Sequence, residues 1–246
     1  MLDPITSYVL LVIFIATLIR STLGFGEALV AVPLLALRIP VAIAAPLAVL
    51  VSVLVAFFIL VQDWRRVEFR SAMWLILSSL LGIPLGLLLL TRANDHLVKL
   101  ILGLVIIAFS LYALAMKTKL HLGKDRWQWL LACGFCSGIL GGAYGMNGPP
   151  LVIYGALRRW PPQHFRATLQ GYFLPASLVG LLGYASVGLW RASVTRYFLL
   201  SLPGVVVAIL LGRALNRRIR GDTFFRVVYL GLIVIAAILL AQAFSR

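Results

Sequence analysis

Twenty-one consecutive residues from Val41 to Val61, VAIAAPLAVLVSVLVAFFILV, contain no charged side chain and are apolar on every face. A run of that length can cross a hydrocarbon core of about 30 Å as a helix. Hydrocarbon offers backbone groups no water, so only helices and closed barrels span it. A barrel would alternate apolar and polar residues in segments of about ten, and neither this run nor Val227 to Ala241 does so. The whole chain has the same character: 62% of its 246 residues are hydrophobic, 12% are charged, and the mean hydropathy is +1.04. Soluble domains carry about a quarter charged residues, so the expected fold is an all-α polytopic membrane protein. The first apolar run lacks a charged leading region and a small-residue cleavage site, and is read as retained.

One apolar stretch is interrupted where it should be crossing. The decapeptide GGAYGMNGPP, Gly141 to Pro150, holds four glycines, two prolines and an asparagine, and cannot continue as a regular helix. An opened backbone at membrane depth is tolerated only where protein buries it or a watery cavity adjoins it. The break therefore reads as a site.

Apolar segments fall at about 5 to 22, 24 to 37, 41 to 61, 72 to 90, 97 to 116, 127 to 142, 149 to 157, 167 to 188, 195 to 212 and 227 to 244. If the short second and seventh segments each return the chain to the side just left, the loops divide fifteen cations from six. The larger set is Arg65, Arg66, Arg70, Lys117, Lys119, Lys124, Arg126, Arg158, Arg159, Arg166, Arg213, Arg217, Arg218, Arg220 and Arg226. The smaller is Arg38, Arg92, Lys99, Arg191, Arg196 and Arg246, with Arg20 left inside an apolar run. Fusing each short segment with its neighbour gives eight spans and a split of ten to eleven. Positive charge gathers on the cytoplasmic side, which favours ten segments with both termini periplasmic or extracellular. Nine residues cannot span the core, so the short segments are either re-entrant or partial. The net charge of +15 is thus loop charge that orients the chain, and calls for no nucleic acid.

The two halves resemble each other. LGFGEALVAVPLLALRIP from Leu23 lies about 121 residues before YGMNGPPLVIYGALRRWP from Tyr144, which puts Gly24 opposite Gly145. LGIPLG from Leu81 falls opposite LPGVVVA from Leu202, and LGLVIIA from Leu102 opposite LGLIVIA from Leu230. Five segments per half make the repeats inverted. The expectation is one transmembrane domain over 1–246, with repeat 1 at about 5–116, a connector at 117–126 and repeat 2 at about 127–244.

GFGEA, Gly24 to Ala28, is then the counterpart of the first break. Two broken segments meeting near mid-membrane would present helix N-termini, whose free N–H groups and positive dipole ends suit an anion. Gly24, Gly26, Gly145, Asn147, Gly148 and Pro149 are the candidate substrate-binding backbone, Pro149 suiting a first helical turn. Asn147 either caps that helix or offers its amide to the substrate. The plainer reading is that these glycines only let helices pack closely. Charges inside apolar runs are functional candidates, and Arg20 and Glu27 are the clearest. Arg20 would grip an anionic group and Glu27 would take up and release a coupling proton; alternatively the two form a structural ion pair. Gln170 is a lining candidate or an interhelical hydrogen-bonding group, and Tyr144, Tyr154 and Tyr172 either line a cavity or pack.

GGAYGMNGPPLVIYGAL, FRATLQGYF at Phe165 to Phe173 and GFGEALVAVPLLAL together resemble the sulfite exporter TauE/SafE family of membrane transporters, over essentially the whole chain. The resemblance implies a bacterial inner-membrane carrier of small sulfur-containing or organic anions such as sulfite and sulfonates. It also marks Arg166 as the matching arginine of a family motif and so as a candidate contact to the substrate or the facing half, for which a snorkelling interface arginine is the simpler account. Asn147 stands where that family usually has another glycine.

Other motifs carry less. Cys133 and Cys136 form a CxxC in an apolar helical run with no strand before it, which reads as buried thiols. His96, His121 and His164 lack metal-ligand spacing, so no metal and no cofactor are expected. Trp64, Trp74, Trp127, Trp160 and Trp190 sit near span ends, as an aromatic belt does. Gly82 and Gly86 would permit helix contacts within the chain or in a homo-oligomer. The expected function is secondary transport of a small anion by alternating access, with a proton gradient or the substrate gradient as driving force, and with membrane lipids and a further copy of the chain as the other partners the sequence allows. The alternatives are an integral membrane enzyme or lipid-handling protein, for which seven acidic residues supply few catalytic groups, and an anion channel.

Overall fold

The computed structural model describes residues 3–115, 126–158, 160–216 and 222–244, and among these it contains only helices. They are α1 (Pro4–Leu23), α2 (Glu27–Ala36), α3 (Val41–Asp63), α4 (Phe69–Arg92), α5 (Asp95–Ala115), α6 (Trp127–Tyr144), α7 (Gly148–Leu157), α8 (Pro162–Ser186), α9 (Ala192–Asn216) and α10 (Asp222–Phe244), with a single 3-10 turn at Trp64–Arg66. Five of them are long and apolar enough to cross a membrane. Lys117, Lys119, Lys124, Arg159, Arg217, Arg218, Arg220, Arg246 and His121 lie outside the described residues.

The ten helices coincide with the ten apolar segments, and the boundary differences have local causes. Helix α8 starts five residues before the apolar run does, because Pro161 serves as its N-cap and Pro162 occupies the first helical position, where a missing N–H costs nothing. Arg166 is consequently inside the helix and not in the loop leading to it. Prolines 33, 46, 84, 175 and 203 sit within helices, as membrane helices tolerate.

Helices α1 and α2 form a hairpin. The Tyr8 hydroxyl near the start of α1 donates to the Leu34 carbonyl near the end of α2 at 2.6 Å, so the ten-residue α2, about 15 Å long, folds back along its predecessor. The ends of the bundle can then be identified. The α2–α3 turn at Arg38, the α4–α5 turn at Asn94 and Gln242 near the end of α10 border one cavity and so share one end. At the other end the Glu68 N–H donates to Thr168 Oγ1, which brings the start of α4 to the start of α8. That is the arrangement of ten segments; eight fused spans would send Arg38 and Gln242 to opposite ends.

Contact between elements is mainly α4 on α6, α1 on α9, α5 on α10 and α3 on α8. Exchanging each helix with the one five places along maps the first of these pairs onto the second, and the last two onto themselves. The α4–α6 contact is made through glycine. A methyl group at Gly82 or Gly86 would strike the carbonyl of Phe135 or Ile139, and one at Gly138 the carbonyl of Ser79. Both helices advance together along this contact, so they are parallel. Gly82 and Gly86 thus serve contact within the chain. Helices α1 and α9 are parallel too, Gly204 meeting Phe14 and Gly212 meeting Leu18 and Ser21. The crossing of α3 with α8 is antiparallel, with Ser52 near Ser177 and Leu60 near Ala167. Since α4 and α8 run the same way, Glu68 meeting Thr168 and Leu87 meeting Gly183, α1 and α6 run oppositely. Large apolar side chains such as Leu81, Leu182 and Leu210 cover the outside, the solvent exposure a lipid-facing surface requires.

Candidate functional site

The two sequence breaks meet. Helix α1 ends at Gly24, whose φ of 88° is left-handed and whose N–H donates to the Arg20 carbonyl at 2.6 Å. Helix α6 ends in the same way at Gly145, with φ of 67° and an N–H donated to the Gly141 carbonyl at 2.8 Å. Glycine populates this region without a Cβ penalty, which is why it stops both helices. Helices α2 and α7 begin three residues after these stops and run for ten residues each. Phe25 to Leu29 from the first break and Gly145 to Pro149 from the second line one cavity of about 20 Å³, with Arg20, Ser52 and Phe173 completing it. That volume holds a water.

Arg20 is the hub. It is 2% exposed, and its Nη1 donates to Glu27 Oε2 at 2.5 Å and to Ser52 Oγ at 2.6 Å. Nη2 donates to Gln170 Oε1 at 2.9 Å, and the guanidinium carbon lies 5.2 Å from the centre of the Phe173 ring. The Gln170 amide also donates through Nε2 to the Gly24 carbonyl at 2.5 Å, so a single α8 side chain holds both the arginine and the hinge of the first hairpin. Thr17 Oγ1 donates to Glu27 Oε1 at 3.2 Å. The pair Arg20 and Glu27 therefore joins the two arms of the α1–α2 hairpin across its break, and no other acidic group reaches Arg20 among the described residues.

The candidate substrate-binding and coupling residues other than Arg166 are at or beside this cavity. Arg20, Gly26, Glu27, Gly145, Asn147, Gly148 and Pro149 line it, whereas Gly24 and Gln170 stand behind Arg20. Arg166 is not in the lining: its aliphatic stem covers Gly24, where an added methyl would stand 2.9 Å from Arg166 Cγ. Arg166, Gln170, Phe173 and Ser177 form one stripe of α8, spaced four, three and four residues apart, the first three facing the first hairpin and Ser177 facing Ser52 of α3.

Asn147 departs from expectation. It occupies the N-cap position of α7 but makes no side-chain cap. A capping oxygen accepts from the second or third helical N–H, and those positions are Pro149 and Pro150, which have none. Its backbone carbonyl instead accepts from Ser137 Oγ at 2.5 Å, backed by the Tyr172 hydroxyl at 3.1 Å from the same oxygen of Ser137, and its Oδ1 lies where a side chain at Gly141 would be. The prolines also change which helix start offers N–H groups. In α2 the N–H groups of Glu27, Ala28 and Leu29 precede the first helical bond, which Val30 donates to Gly26; in α7 two of the corresponding donors are missing.

Ser52, Phe173, Phe25 and Met146 were not anticipated. Ser52 alone left a trace, as the single hydroxyl in the run from Val41 to Val61. Of the tyrosines, Tyr144 donates to the Val98 carbonyl and Tyr172 to Ser137, both packing roles near the site; Tyr154 stacks edge-on with Trp160. Cys133 is buried and Cys136 exposed, both free, and no group of metal-binding residues occurs among the described residues. His164 pairs with Glu68 at 3.2 Å on the surface.

The sequence model of the family described as Sulfite exporter TauE/SafE matches residues 9–240. A protein of Cupriavidus necator named probable sulfite/organosulfonate exporter TauE is 32% identical over 183 residues, 74% of this chain and 70% of its own. No solved structure matches the chain.

Proposed function

We propose that this chain, which belongs to the sulfite exporter TauE/SafE family, exports a small sulfur oxyanion or related organic anion across the bacterial inner membrane by alternating access around the cavity at Arg20. The family makes it a multi-pass membrane transporter and not an enzyme. The observation that carries the finer reading is the buried arginine at the meeting point of two broken helices, balanced by one carboxylate and otherwise held by neutral groups. An arginine so placed is costly in hydrocarbon unless it is paired, and its fork of N–H groups matches an oxyanion.

The chemistry follows from charge balance. In the empty carrier Glu27 neutralises Arg20. A substrate anion takes over that role once Glu27 accepts a proton, so the guanidinium is paired in both forms and neither crosses with a bare charge. Ser52 and Gln170 hold the guanidinium in place while its partner changes, and the free N–H groups at the start of α2 add donors for the anion. Proton and monoanion then move together, in the direction set by their combined gradients.

Alternating access would be the rocking of two inverted repeats. Supporting it are the two glycine hinges 121 residues apart, the two ten-residue helices that follow them, the opposite course of α1 and α6, and the exchange of α1–α9 with α4–α6 contact. The charge distribution supports periplasmic termini.

The deciding experiment is uptake and counterflow in proteoliposomes with sulfite, short sulfonates and short carboxylates, with and without a pH gradient. Saturable counterflow that Arg20→Ala abolishes is the expected result. Undiminished transport by a folded Arg20→Ala protein would end this reading, and flux without counterflow would replace the carrier by a channel.

A further inference from the structure

A second cavity, of about 890 Å³, opens at the end of the bundle where α1 begins. Its walls are the α2–α3 turn with Arg38, the start of α5 with Asn94, Asp95, His96 and Lys99, and Gln242 near the end of α10. The charges are unequal. Lys99 Nζ is 2.9 Å from Asp95 Oδ2, which accounts for the acidic group of the wall. Arg38 has no carboxylate partner among the described residues: its guanidinium lies 5.9 Å from the centre of the Tyr8 ring, and the Tyr8 hydroxyl is itself occupied by Leu34. The wall thus has one permanent cation in excess. Asn94 Oδ1 caps the Leu97 N–H at 2.8 Å, so the positive end of the α5 dipole is turned toward the same space.

We infer that this cavity is a second oxyanion site, in which Arg38 and Lys99 hold a sulfite, sulfonate or phosphate group at the mouth of the transporter. The cavity has room for such a group, which the 20 Å³ space at Arg20 does not in this conformation. Two structural links join it to the breaks. Helix α2 has Glu27 at its first residue and Arg38 just past its last, about 15 Å away. Val98, next to Lys99, accepts the Tyr144 hydroxyl at 2.9 Å, and Tyr144 is the residue before the Gly145 hinge. The occupant is either the carried anion, waiting at that end, or the headgroup of an anionic phospholipid; the former identity rests on the proposed transport function, whereas the site itself does not.

The test is calorimetric titration of sulfite into the full chain in phosphatidylcholine nanodiscs, with and without phosphatidylglycerol. The wild type is expected to bind sulfite at two sites. The double substitution Arg38→Gln, Lys99→Gln should weaken one of them about a hundredfold, about tenfold for each charge-assisted contact removed, and leave the other. Arg65→Gln, at the opposite end, should change neither. If phosphatidylglycerol competes for the Arg38 site, the lipid is an occupant; if it does not, the carried anion is. A wild type whose sulfite binding is untouched by the double substitution in either lipid overturns the inference. Loss of the Arg38 site with no effect of Arg20→Ala would instead overturn the central-site reading and leave the mouth site standing.

Discussion

Arg20 and Glu27 stand on opposite arms of one hairpin, seven residues apart in sequence with a glycine hinge between them, and form a buried ion pair at 2.5 Å. Removing one member strands the other. Arg20→Ala should therefore lower stability by about 3 to 5 kcal/mol in addition to abolishing transport. Arg20→Met with Glu27→Met should recover most of that stability and none of the transport, which thermal unfolding in detergent and proteoliposome flux would show together.

Glu27→Gln keeps a hydrogen-bond acceptor for Arg20 and removes the titratable group. Anion exchange down a substrate gradient should survive, while stimulation by a pH gradient should disappear. Proton movement measured beside anion flux checks this, and pH-gradient stimulation retained in Glu27→Gln would remove Glu27 from the coupling role.

Gln170→Leu leaves the Gly24 carbonyl and Arg20 Nη2 without their partner. An unsatisfied buried carbonyl costs about 1 to 3 kcal/mol. The substitution should also raise the KM for the anion more than it lowers the maximal rate, because Arg20 loses a support and not its charge. Gln170→Glu should be more damaging, as a second carboxylate would compete with the substrate for Arg20.

At Gly141 an added methyl would collide with Asn147 Oδ1. Gly141→Ala is expected to destabilise by about 1 to 3 kcal/mol, and Asn147→Gly in the same chain to relieve it. Asn147→Gly alone should fold normally and enlarge the cavity, widening the range of anions accepted. A double-mutant cycle read by thermal unfolding tests the coupling.

Much of this was legible in the sequence because each step had a chemical cause with a short range. Apolar runs without charge marked the helices, glycine marked the hinges, and the spacing between Gly24 and Gly145 matched the two breaks to one another. The charges Arg20 and Glu27 were visible because hydrocarbon makes any charge conspicuous. What was not legible depended on long-range contact. Phe173 and Met146 are ordinary apolar residues in apolar runs until α8 and the second break are brought against Arg20. Asn147 failed as a cap for a reason that was available all along, since the two residues that should donate to it are prolines.

The parallel pairs α1–α9 and α4–α6 have a consequence for how the protein is made. Helix α1 leaves the ribosome well before α9, its packing partner, which lies eight helices further along the chain. Until α9 is inserted, the first hairpin waits in lipid or in the insertion machinery without the neighbour that will cover it. A lone arginine there would weigh heavily against insertion. Arg20 has its counter-ion within the same hairpin, so it can be neutralised before α9 is made. The bond that substrate must later displace also serves during biogenesis, as the means by which a charged segment enters the membrane early and stays there.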